Sequence, residues 1–470
     1  MSELPRGIPP AEVPVPRDSA LGIVLRRGEA GGWEVLLGVR SRRSRFMPGH
    51  HAFPGGVVDP VDRPGDEGCF ARCVAREMEE ECGISIPVPE WSDAGERITP
   101  PLFPLRYRTR FFVTQIPDRS FSPRPASEEN EQLIFASPPA VLAQWERDQV
   151  KVPPPVLPIL RAVGVAGSSS MDDVVRAVAE ANLQEEQAPR VEFVPGVWMM
   201  PVRTATLPPA THTNVWLPGS RRFAIVDPGS DDSEEVEKLL RVVARRARGG
   251  DSPCAVVLTH HHGDHVAGAA IVAGRLGLPI RAYESVLDGL DAPPGSAMEP
   301  IADGEVLDLG GESLEAHHTP GHAPGHLAFH LRERRALIAG DMVGGMSTIL
   351  IDPERGDMGA YLDSLERLRR LDCRTLLPGH GPPLPAKELG RVVTHRKMRE
   401  SLVLQMLDCG TLKQLGEIAA GAYADLPQMP AVLTRGQTLS HLLLLERNGR
   451  VRREGPDGSR WRRVGEGSGT

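Results

Sequence analysis

The feature that most constrains this chain is a histidine-rich segment, Thr259–His265, that directly follows the apolar run Ala255–Leu258. A short, continuous apolar run is typical of a buried strand, so the segment is predicted to be the loop at the end of that strand. Side chains two residues apart on an extended backbone point the same way, and two further polar residues form a second cluster beside them. One loop is therefore predicted to hold two cations about 3.5–4 Å apart. The predicted ligands in this loop are His260, His262, Asp264 and His265.

Two coordination shells need more ligands than one loop supplies, and three later turns offer them. Each of these turns contains glycine and follows an apolar run. In a fold that alternates strands and helices, such strand-end loops gather on one edge. A lone histidine is more often an ordinary core or surface residue, but this ordered set predicts a two-metal site. The additional ligands are His322, Asp341 and His380.

The ordered set resembles the metallo-β-lactamase superfamily over about residues 191–385. The resemblance implies an αββα sandwich, two Zn²⁺ ions and hydrolysis by a hydroxide that these ions activate. Asp227 matches a mainly structural position, Asp264 is expected to orient the hydroxide or accept its proton, and His326 is expected behind the ligands or against the substrate. The resemblance assigns His260, His262 and His322 to one zinc ion, Asp264, His265 and His380 to the other, and Asp341 to both.

A second metal-binding pattern lies in the predicted helix Phe70–Glu81. Its apolar residues recur at helical spacing on one face, whereas Glu77, Glu80 and Glu81 share the opposite face because they stand at i, i+3 and i+4. Three close carboxylates repel one another unless a cation lies among them, and oxygen ligands suit Mg²⁺ or Mn²⁺. The alternative interpretation is an acidic helix face exposed to solvent.

The run Arg76–Ile84 resembles the Nudix box. The resemblance covers about residues 18–160 and implies an α/β/α sandwich, a diphosphate substrate that Arg76 helps to bind, and a catalytic role for Glu80. The interval from Gly56 to Arg76 is longer than in the usual box, as it is in Nudix enzymes similar to coenzyme A diphosphatases. A small-molecule diphosphate or coenzyme A-type substrate is therefore expected.

A predicted helix after residue 385 carries Arg396 and Arg399, and residues 439–470, a helix followed by a predicted two-stranded wing, hold seven arginines against four acidic residues. Together with the metallo-β-lactamase-like part, over about residues 191–455, these features resemble the lactamase-β-like branch of the superfamily, which includes a single-stranded-RNA endoribonuclease. Both sets of arginines are expected to contact a substrate, which makes single-stranded RNA a possible partner. A solvated surface hairpin is an equally good interpretation of the wing.

Changes in composition and in the pattern of apolar residues divide the chain into four segments, so we expect a multidomain protein of α/β and α+β class. The second segment contains flexible residues and a predicted helix over Met171–Gln187, which Ser170 can cap. The predicted segments are 1–160 (Nudix-like), 161–190 (linker), 191–385 (metallo-β-lactamase-like) and 386–470 (helical and winged-helix-like).

Charge and composition limit the cellular location and the binding partners that we expect. The net charge of −8 gives no basic signal over the whole chain. The six cysteines form no Cys-x-x-Cys pair, and their scatter indicates free thiols in a reducing compartment. The first residues lack the apolar core of a signal peptide, and no apolar window approaches the length of a membrane span. A cytoplasmic enzyme without a membrane segment is expected.

Three functions remain open from the sequence. The first is hydrolysis of a phosphodiester, most naturally single-stranded RNA, at the two-zinc site. The second is hydrolysis of a thioester at the same site, as in the related glyoxalase II enzymes. The third, of a different class, makes the Nudix-like segment a sensor of nucleotide derivatives with little chemistry of its own.

Overall fold

The computed structural model describes residues 12–44, 47–101, 103, 105–116, 123–167, 169–187, 190–291, 295–407, 411–454 and 459–464. The chain divides into two units, which we call the N-terminal unit (Val13–Trp198) and the C-terminal unit (Met199–Thr470). Among the described helices, none is long and apolar enough to cross a membrane.

The N-terminal unit is built around a seven-stranded mixed sheet. Its elements are β1 (Arg17–Arg27), β2 (Trp33–Arg40), β3 (His51–Ala52), β4 (Gly55–Val57), α1 (Cys69–Cys82), β5 (Ser92–Ile98), β6 (Tyr107–Gln115), β7 (Asn130–Ala136), α2 (Pro138–Glu146), α3 (Val156–Ala166), α4 (Met171–Gln187) and β8 (Val191–Val194). The sheet order is β3-β2-β1-β6-β5, with β4 paired to β1 and β7 paired to β2. Strand β1 runs antiparallel to β2 and parallel to β6.

Helices cover both faces of this sheet, which confirms the expected α/β/α sandwich. Alternate residues of a strand point to opposite faces. Val24 of β1 therefore packs with Val74 and Met78 of α1, whereas its neighbours Ile23 and Leu25 pack with α2, α3 and α4. Burial of both sets of apolar side chains holds α1, with its acidic face, on the sheet.

The segment expected to be a linker, 161–190, differs from that expectation. The helix predicted over Met171–Gln187 is present as α4, and Ser170 Oγ accepts a hydrogen bond from Asp173 N (3.2 Å). This helix is part of the core, because its residues Val174 and Val178 are buried in the same apolar cluster as β1. The polar sequence around the helix suggested a linker, but its apolar stripe packs against the sheet.

Up to residue 385, the described part of the C-terminal unit contains two further sheets. Its elements up to residue 385 are β9 (Val197–Arg203), β10 (His212–Leu217), β11 (Arg222–Val226), α5 (Ser233–Arg248), β12 (Ser252–Val257), α6 (Gly263–Val266), α7 (Ala269–Leu276), β13 (Ile280–Ala282), α8 (Glu284–Leu287), β14 (Met298–Pro300), β15 (Val306–Asp308), β16 (Ser313–His318), β17 (Leu327–Leu331), β18 (Ala336–Gly340), α9 (Met358–Leu368), β19 (Thr375–Pro378) and β20 (Leu384–Pro385). One sheet has the order β14-β13-β12-β11-β10-β9, and the other runs from β15 to β20 in sequence order.

The continuous apolar runs of the sequence form the central strands of these sheets. The run Phe223–Val226 lies in β11, Ala255–Leu258 overlaps β12, and Ala336–Ala339 lies in β18; all are buried. Helices α5 and α7 contact β12 of the first sheet. Helix α9 packs on the second sheet through Tyr361 and Leu365. These layers agree with the expected αββα class, and they place the carboxyl ends of β12, β18 and β19 where ligands were predicted.

The described residues after 385 form three helices and a small sheet. Its elements are α10 (Glu388–Gln405), β21 (Lys413–Gln414), α11 (Leu415–Ala422), α12 (Ala431–Arg447), β22 (Val451–Glu454) and β23 (Arg460–Arg463). The sheet order is β21-β23-β22. Trp461 of β23 is buried with Leu442 and Leu445 of α12, so the sheet is anchored to the helices. This is the winged-helix-like arrangement expected from the sequence.

Candidate functional site

The predicted ligands of the central site lie on loops at the ends of strands. The loop after β12 carries His260 and His262, and the short helix α6 carries Asp264 and His265. The turn after β16 carries His322. The remaining two predicted ligands, Asp341 and His380, follow the parallel strands β18 and β19. The structure thus brings all seven predicted side chains to one place.

Their ligand atoms form three overlapping groups, each within 4.8 Å. In the first group, His262 Nδ1 lies 3.0 Å from His260 Nε2 and 2.9 Å from His322 Nε2. In the third, His380 Nε2 lies 3.3 Å from His265 Nε2 and 3.3 Å from Asp264 Oδ2. The three groups are His260, His262 and His322; His260, His265 and Asp341; and Asp264, His265 and His380.

Asp341 lies between the two outer groups. Its Oδ1 is 3.6 Å from His265 Nε2, and its Oδ2 is 3.6 Å from His322 Nε2. Oδ1 is also buried without a hydrogen-bond partner among the described residues. A buried carboxylate oxygen without a partner carries a large desolvation cost, which a cation beside it would offset. The donor set of imidazoles and carboxylates therefore fits two divalent transition-metal ions.

Charge is distributed unevenly among the ligands. Burial, together with neighbouring histidines, lowers the pKa of His262 to about 3. Burial also opposes protonation of His265, but the surrounding carboxylates Asp341, Asp227 and Asp264 outweigh it and raise the pKa of His265 to about 10. Burial opposes ionisation of Asp264, but His265 and His380 outweigh it and hold the pKa of Asp264 well below its usual range. A cluster of buried carboxylates that attracts a proton to His265 is equally suited to a metal cation.

A second layer of side chains orients the ligands. Asp227 Oδ1 accepts from Thr259 N (2.7 Å), and its Oδ2 accepts from Thr259 Oγ1 (2.7 Å) and lies 2.9 Å from His265 Nδ1. His322 Nδ1 lies 2.9 Å from a backbone carbonyl oxygen, as does His380 Nδ1. When Nδ1–H donates in this way, the lone pair of Nε2 remains available for a metal.

One glycine allows the ligand loop to come close to the strand end after β11. A Cβ atom at Gly229 would lie 1.8 Å from the carbonyl oxygen of Asp264. No side chain fits in that space, so Gly229 lets the backbone of α6 approach. The preceding Asp227 has a positive φ of 53°, a conformation that Asp and Asn adopt more readily than most residues.

His326 is placed behind the ligands and does not face a substrate. It is fully buried, its Nδ1 lies 2.8 Å from Thr319 Oγ1, and its Nε2 accepts a hydrogen bond from Asp341 N (3.1 Å). Both ring nitrogens are therefore engaged. The sequence left two positions open for His326, behind the ligands or against the substrate. The structure excludes the second position, because the buried ring supports the backbone that carries Asp341.

Arg396 and Arg399, predicted to bind substrate, are buried and hold the C-terminal helices together. Arg396 donates to Gln437 Oε1 (2.8 Å) and to a backbone carbonyl oxygen. Arg399 pairs with Asp425 (2.7 Å) and donates to the carbonyl oxygen of Ala422. The prediction of substrate contact fails because both guanidinium groups, although charged, are almost completely removed from solvent.

The acidic helix α1 presents the Nudix-like carboxylates, and Arg76 organises them. Arg76 donates to Glu77 Oε1 and Glu80 Oε2 (both 2.9 Å) and to the buried carboxylate of Asp62 (2.8 Å). Because its guanidinium is directed at these groups, Arg76 positions carboxylates and does not face a substrate, contrary to the prediction. The side chain of Glu80 is 57% exposed and is thus open to a ligand from solvent.

Glu81 is the buried member of the acidic set. Asn130 Nδ2 donates to its Oε2 (3.3 Å). Burial, with the nearby carboxylates Glu129 and Glu77, raises the pKa of Glu81 to about 8. Such an accumulation of carboxylates in a partly buried place fits a hard divalent cation with oxygen ligands. Glu129, 48 positions beyond Glu81, was not found by sequence reasoning, because no helical or strand spacing links the two.

The comparisons with known proteins identify both regions. The model of the metallo-beta-lactamase superfamily matches residues 208–380, and that of the NUDIX domain matches residues 16–154. The lactamase-like protein nscB of Trichophyton verrucosum is 32% identical over 209 residues, which are 40% of this chain and 67% of that protein. The atrochrysone carboxyl ACP thioesterase AacuM of Aspergillus aculeatus is 30% identical over 174 residues, 37% of this chain and 52% of that protein.

The similarity to solved structures supports the same fold. A beta-lactamase domain protein from Burkholderia ambifaria superposes with a TM-score of 0.52 at 22% identity, covering 58% of this chain and 93% of that one. The chain spans about half the length of several of the curated relatives it matches. The chain belongs to the metallo-β-lactamase superfamily and carries a NUDIX domain before that domain.

Proposed function

We propose that the metallo-β-lactamase domain hydrolyses a thioester at a site with two zinc ions. The observation that carries this proposal is the position of Asp341, whose two oxygens face two different groups of histidines. A carboxylate in this position is suited to bridging two cations. Zinc is favoured by the imidazole-rich donor set, although other divalent ions can compete at such ligands.

Different residues of the chain have different roles in the proposed hydrolysis. When bound, two divalent cations supply a hydroxide at neutral pH and polarise the carbonyl group of the substrate. Asp264, which stays ionised, accepts a hydrogen bond from the nucleophile and so orients it. Asp227 fixes the ring of His265, and His326 holds the backbone at Asp341, so neither ligand has to reorganise during the reaction.

The thioester is preferred to RNA because the features that suggested RNA have other roles in the structure. Arg396 and Arg399 are buried. Most arginines of the wing and the helix before it are paired with acidic side chains, which lowers the local positive charge that a phosphate backbone requires. These pairs are Arg447 with Asp357, Arg453 with Glu446, and Arg452 and Arg462 with Glu454. The thioesterase among the relatives supports the same choice.

For the NUDIX domain we propose hydrolysis of a small diphosphate, such as a coenzyme A derivative, with Mg²⁺ or Mn²⁺. The carboxylates of Glu77, Glu80 and Glu81 would hold the cation, with Glu80 the member most open to solvent. The elongated interval between Gly56 and Arg76 supports a substrate of the coenzyme A type. One chain would then act on two bonds of related molecules.

The thioester proposal is tested with the full chain and three classes of substrate. Purified zinc-loaded protein is assayed with acyl-coenzyme A, an acyl-phosphopantetheine carrier protein and a single-stranded RNA oligonucleotide. We expect thioester cleavage that falls at least about 100-fold in His262→Ala. His395→Ala removes a half-buried histidine of α10 and is the matched control. RNA cleavage without thioester cleavage would refute the proposal.

The NUDIX proposal needs a separate pair of variants. Glu80→Gln removes one charge from the acidic set, and Glu79→Gln, its exposed neighbour, is the control. We expect Mg²⁺-dependent release of phosphopantetheine from coenzyme A that is lost in Glu80→Gln and retained in Glu79→Gln. Binding of coenzyme A or a nucleotide derivative without turnover in the parent would instead support a sensor.

A further inference from the structure

A third group of metal-ligating side chains lies on the hairpin of β16 and β17, outside the dinuclear site. Glu315 and His317 stand two residues apart on β16, so they point to the same face. His330 of β17 is directly opposite Glu315 in the antiparallel register, which places its side chain on that face too. The three residues form a tripod, which we call the hairpin cluster.

The distances within the hairpin cluster are close to those of a coordination shell. His317 Nε2 lies 3.6 Å from Glu315 Oε2, and His330 Nδ1 lies 4.0 Å from the same oxygen. All three ligand atoms lie within 4.8 Å of one another. Ligands bound tetrahedrally at about 2.0–2.1 Å from zinc are separated by roughly 3.4 Å. The distances of 3.6 and 4.0 Å to Glu315 Oε2 are close to this separation, so small side-chain adjustments would bring both nitrogens to coordination distance.

The two imidazoles present free ring nitrogens to this point. His330 Nε2 lies 3.2 Å from the carbonyl oxygen of Asp372, to which it donates as the protonated nitrogen. Its Nδ1 then carries a lone pair directed toward Glu315. Among the residues that the structure describes, His330 Nδ1 and His317 Nε2 are both buried without a hydrogen-bond partner, and only 6% of the His330 side chain is exposed. Two such atoms beside one carboxylate are costly unless a ligand satisfies them.

We propose that Glu315, His317 and His330 bind one zinc-class divalent cation, separate from the two ions of the dinuclear site. Two imidazoles and one carboxylate are a common donor set for Zn²⁺, with a water molecule in the fourth position. The carbonyl oxygen of Asp372 orients the imidazole of His330, as outer-shell acceptors do at metal sites. The ion would join β16 to β17, and β16 leads into the turn that carries His322.

Arg332 is the competitor for this site. Its Nε lies 2.7 Å from Glu315 Oε2, the same oxygen that both histidines face. The side chain of Arg332 is 60% exposed, so it can turn into solvent at little cost when a metal ion binds. Removal of this arginine should therefore strengthen metal binding, an effect opposite in sign to that of removing a ligand.

The experiment measures zinc binding to the full chain, first stripped of metal and then titrated with Zn²⁺ against a chromophoric chelator. We expect the saturating stoichiometry to fall by one zinc per chain in His330→Ala and in His317→Ala, and to stay unchanged in the control His395→Ala. Arg332→Ala should bind the ion of the hairpin cluster several-fold more tightly than the parent.

Equal stoichiometry in the parent and both ligand variants would overturn the proposal, as would an Arg332→Ala variant with weaker binding. Circular dichroism checks that each variant folds. If His330→Ala does not fold, His317→Ala decides, because its side chain is more exposed. The readout counts zinc and does not depend on which substrate the enzyme cleaves, so its failure would leave the thioester proposal untouched.

Discussion

Asp227→Asn tests how the structure prepares the dinuclear site. Asn has the same shape and tolerates the positive φ of this position, so the backbone is not disturbed. Thr259 N donates to Oδ1, which fixes the amide oxygen there and places the NH₂ group at the position of Oδ2. That group faces His265 Nδ1, where the carboxylate accepted a hydrogen bond across 2.9 Å.

The magnitude follows from the bond that is lost. A hydrogen bond to a charged group contributes about 1.5–3 kcal/mol, so the metal-free Asp227→Asn protein should lose roughly 2–3 kcal/mol of unfolding free energy. When His265 loses a proton to bind zinc, the donor–donor contact favours the tautomer that keeps the remaining proton on Nε2, and that nitrogen then cannot bind zinc. Zinc affinity should therefore fall about 10–100-fold.

The assay combines urea unfolding of the metal-free protein with zinc competition against a chelator. The matched control is Asp232→Asn, because Asp232 caps α5 through one oxygen that Asn retains. This control should stay within about 0.5 kcal/mol of the parent, with unchanged zinc affinity. An Asp227→Asn protein that binds zinc as tightly as the parent would refute the role assigned to Asp227.

Three further predictions concern packing and charge. Gly379→Ala places a Cβ 2.6 Å from Asp341 Oδ1, so zinc affinity, measured by chelator competition, should fall at least about 10-fold; parental affinity would contradict this. Arg399→Ala removes the buried partner of Asp425 and should lower the free energy of urea unfolding by about 2–4 kcal/mol without changing the zinc stoichiometry. A change in zinc binding with no loss of stability would instead indicate that Arg399 acts at the dinuclear site. In the metal-free protein, Glu81 binds its proton more tightly in the folded than in the unfolded state, so its contribution to the free energy of unfolding should fall as pH rises from about 4.5 to about 8. Glu81→Gln should flatten this pH dependence in urea unfolding, and an unchanged slope would exclude Glu81 as its source.

The features that the sequence predicted share one property: each is encoded by residues that lie close together in the chain. The ligand loop Thr259–His265 is a contiguous motif after a buried strand, and its ligands converge as expected. The helix Met171–Gln187 was predicted with its bounds, since a capping residue and an apolar stripe are both local features. Such features need no knowledge of distant neighbours.

The parts that failed, or were missed, depend on long-range packing. Arg396 and Arg399 are charged, which favours a surface position, yet buried partners from α11 and α12 and the loop before α9 surround them. His317 had no assignable role in the sequence, because its neighbour in space, His330, is identified only by the register of β16 and β17. Pairing between strands is not a property of either strand alone.

The sequence by itself determined the kind of chemistry, because the type and order of imidazoles and carboxylates at strand ends limit what can bind there. Only the tertiary structure decided which charges face solvent and which are neutralised, and hence that Arg452, Arg453 and Arg462 of the wing pair with glutamates and that His326 supports a ligand. The physical reason is that the energy of a charge depends on its burial and its partners, which are set by contacts between residues far apart in the chain.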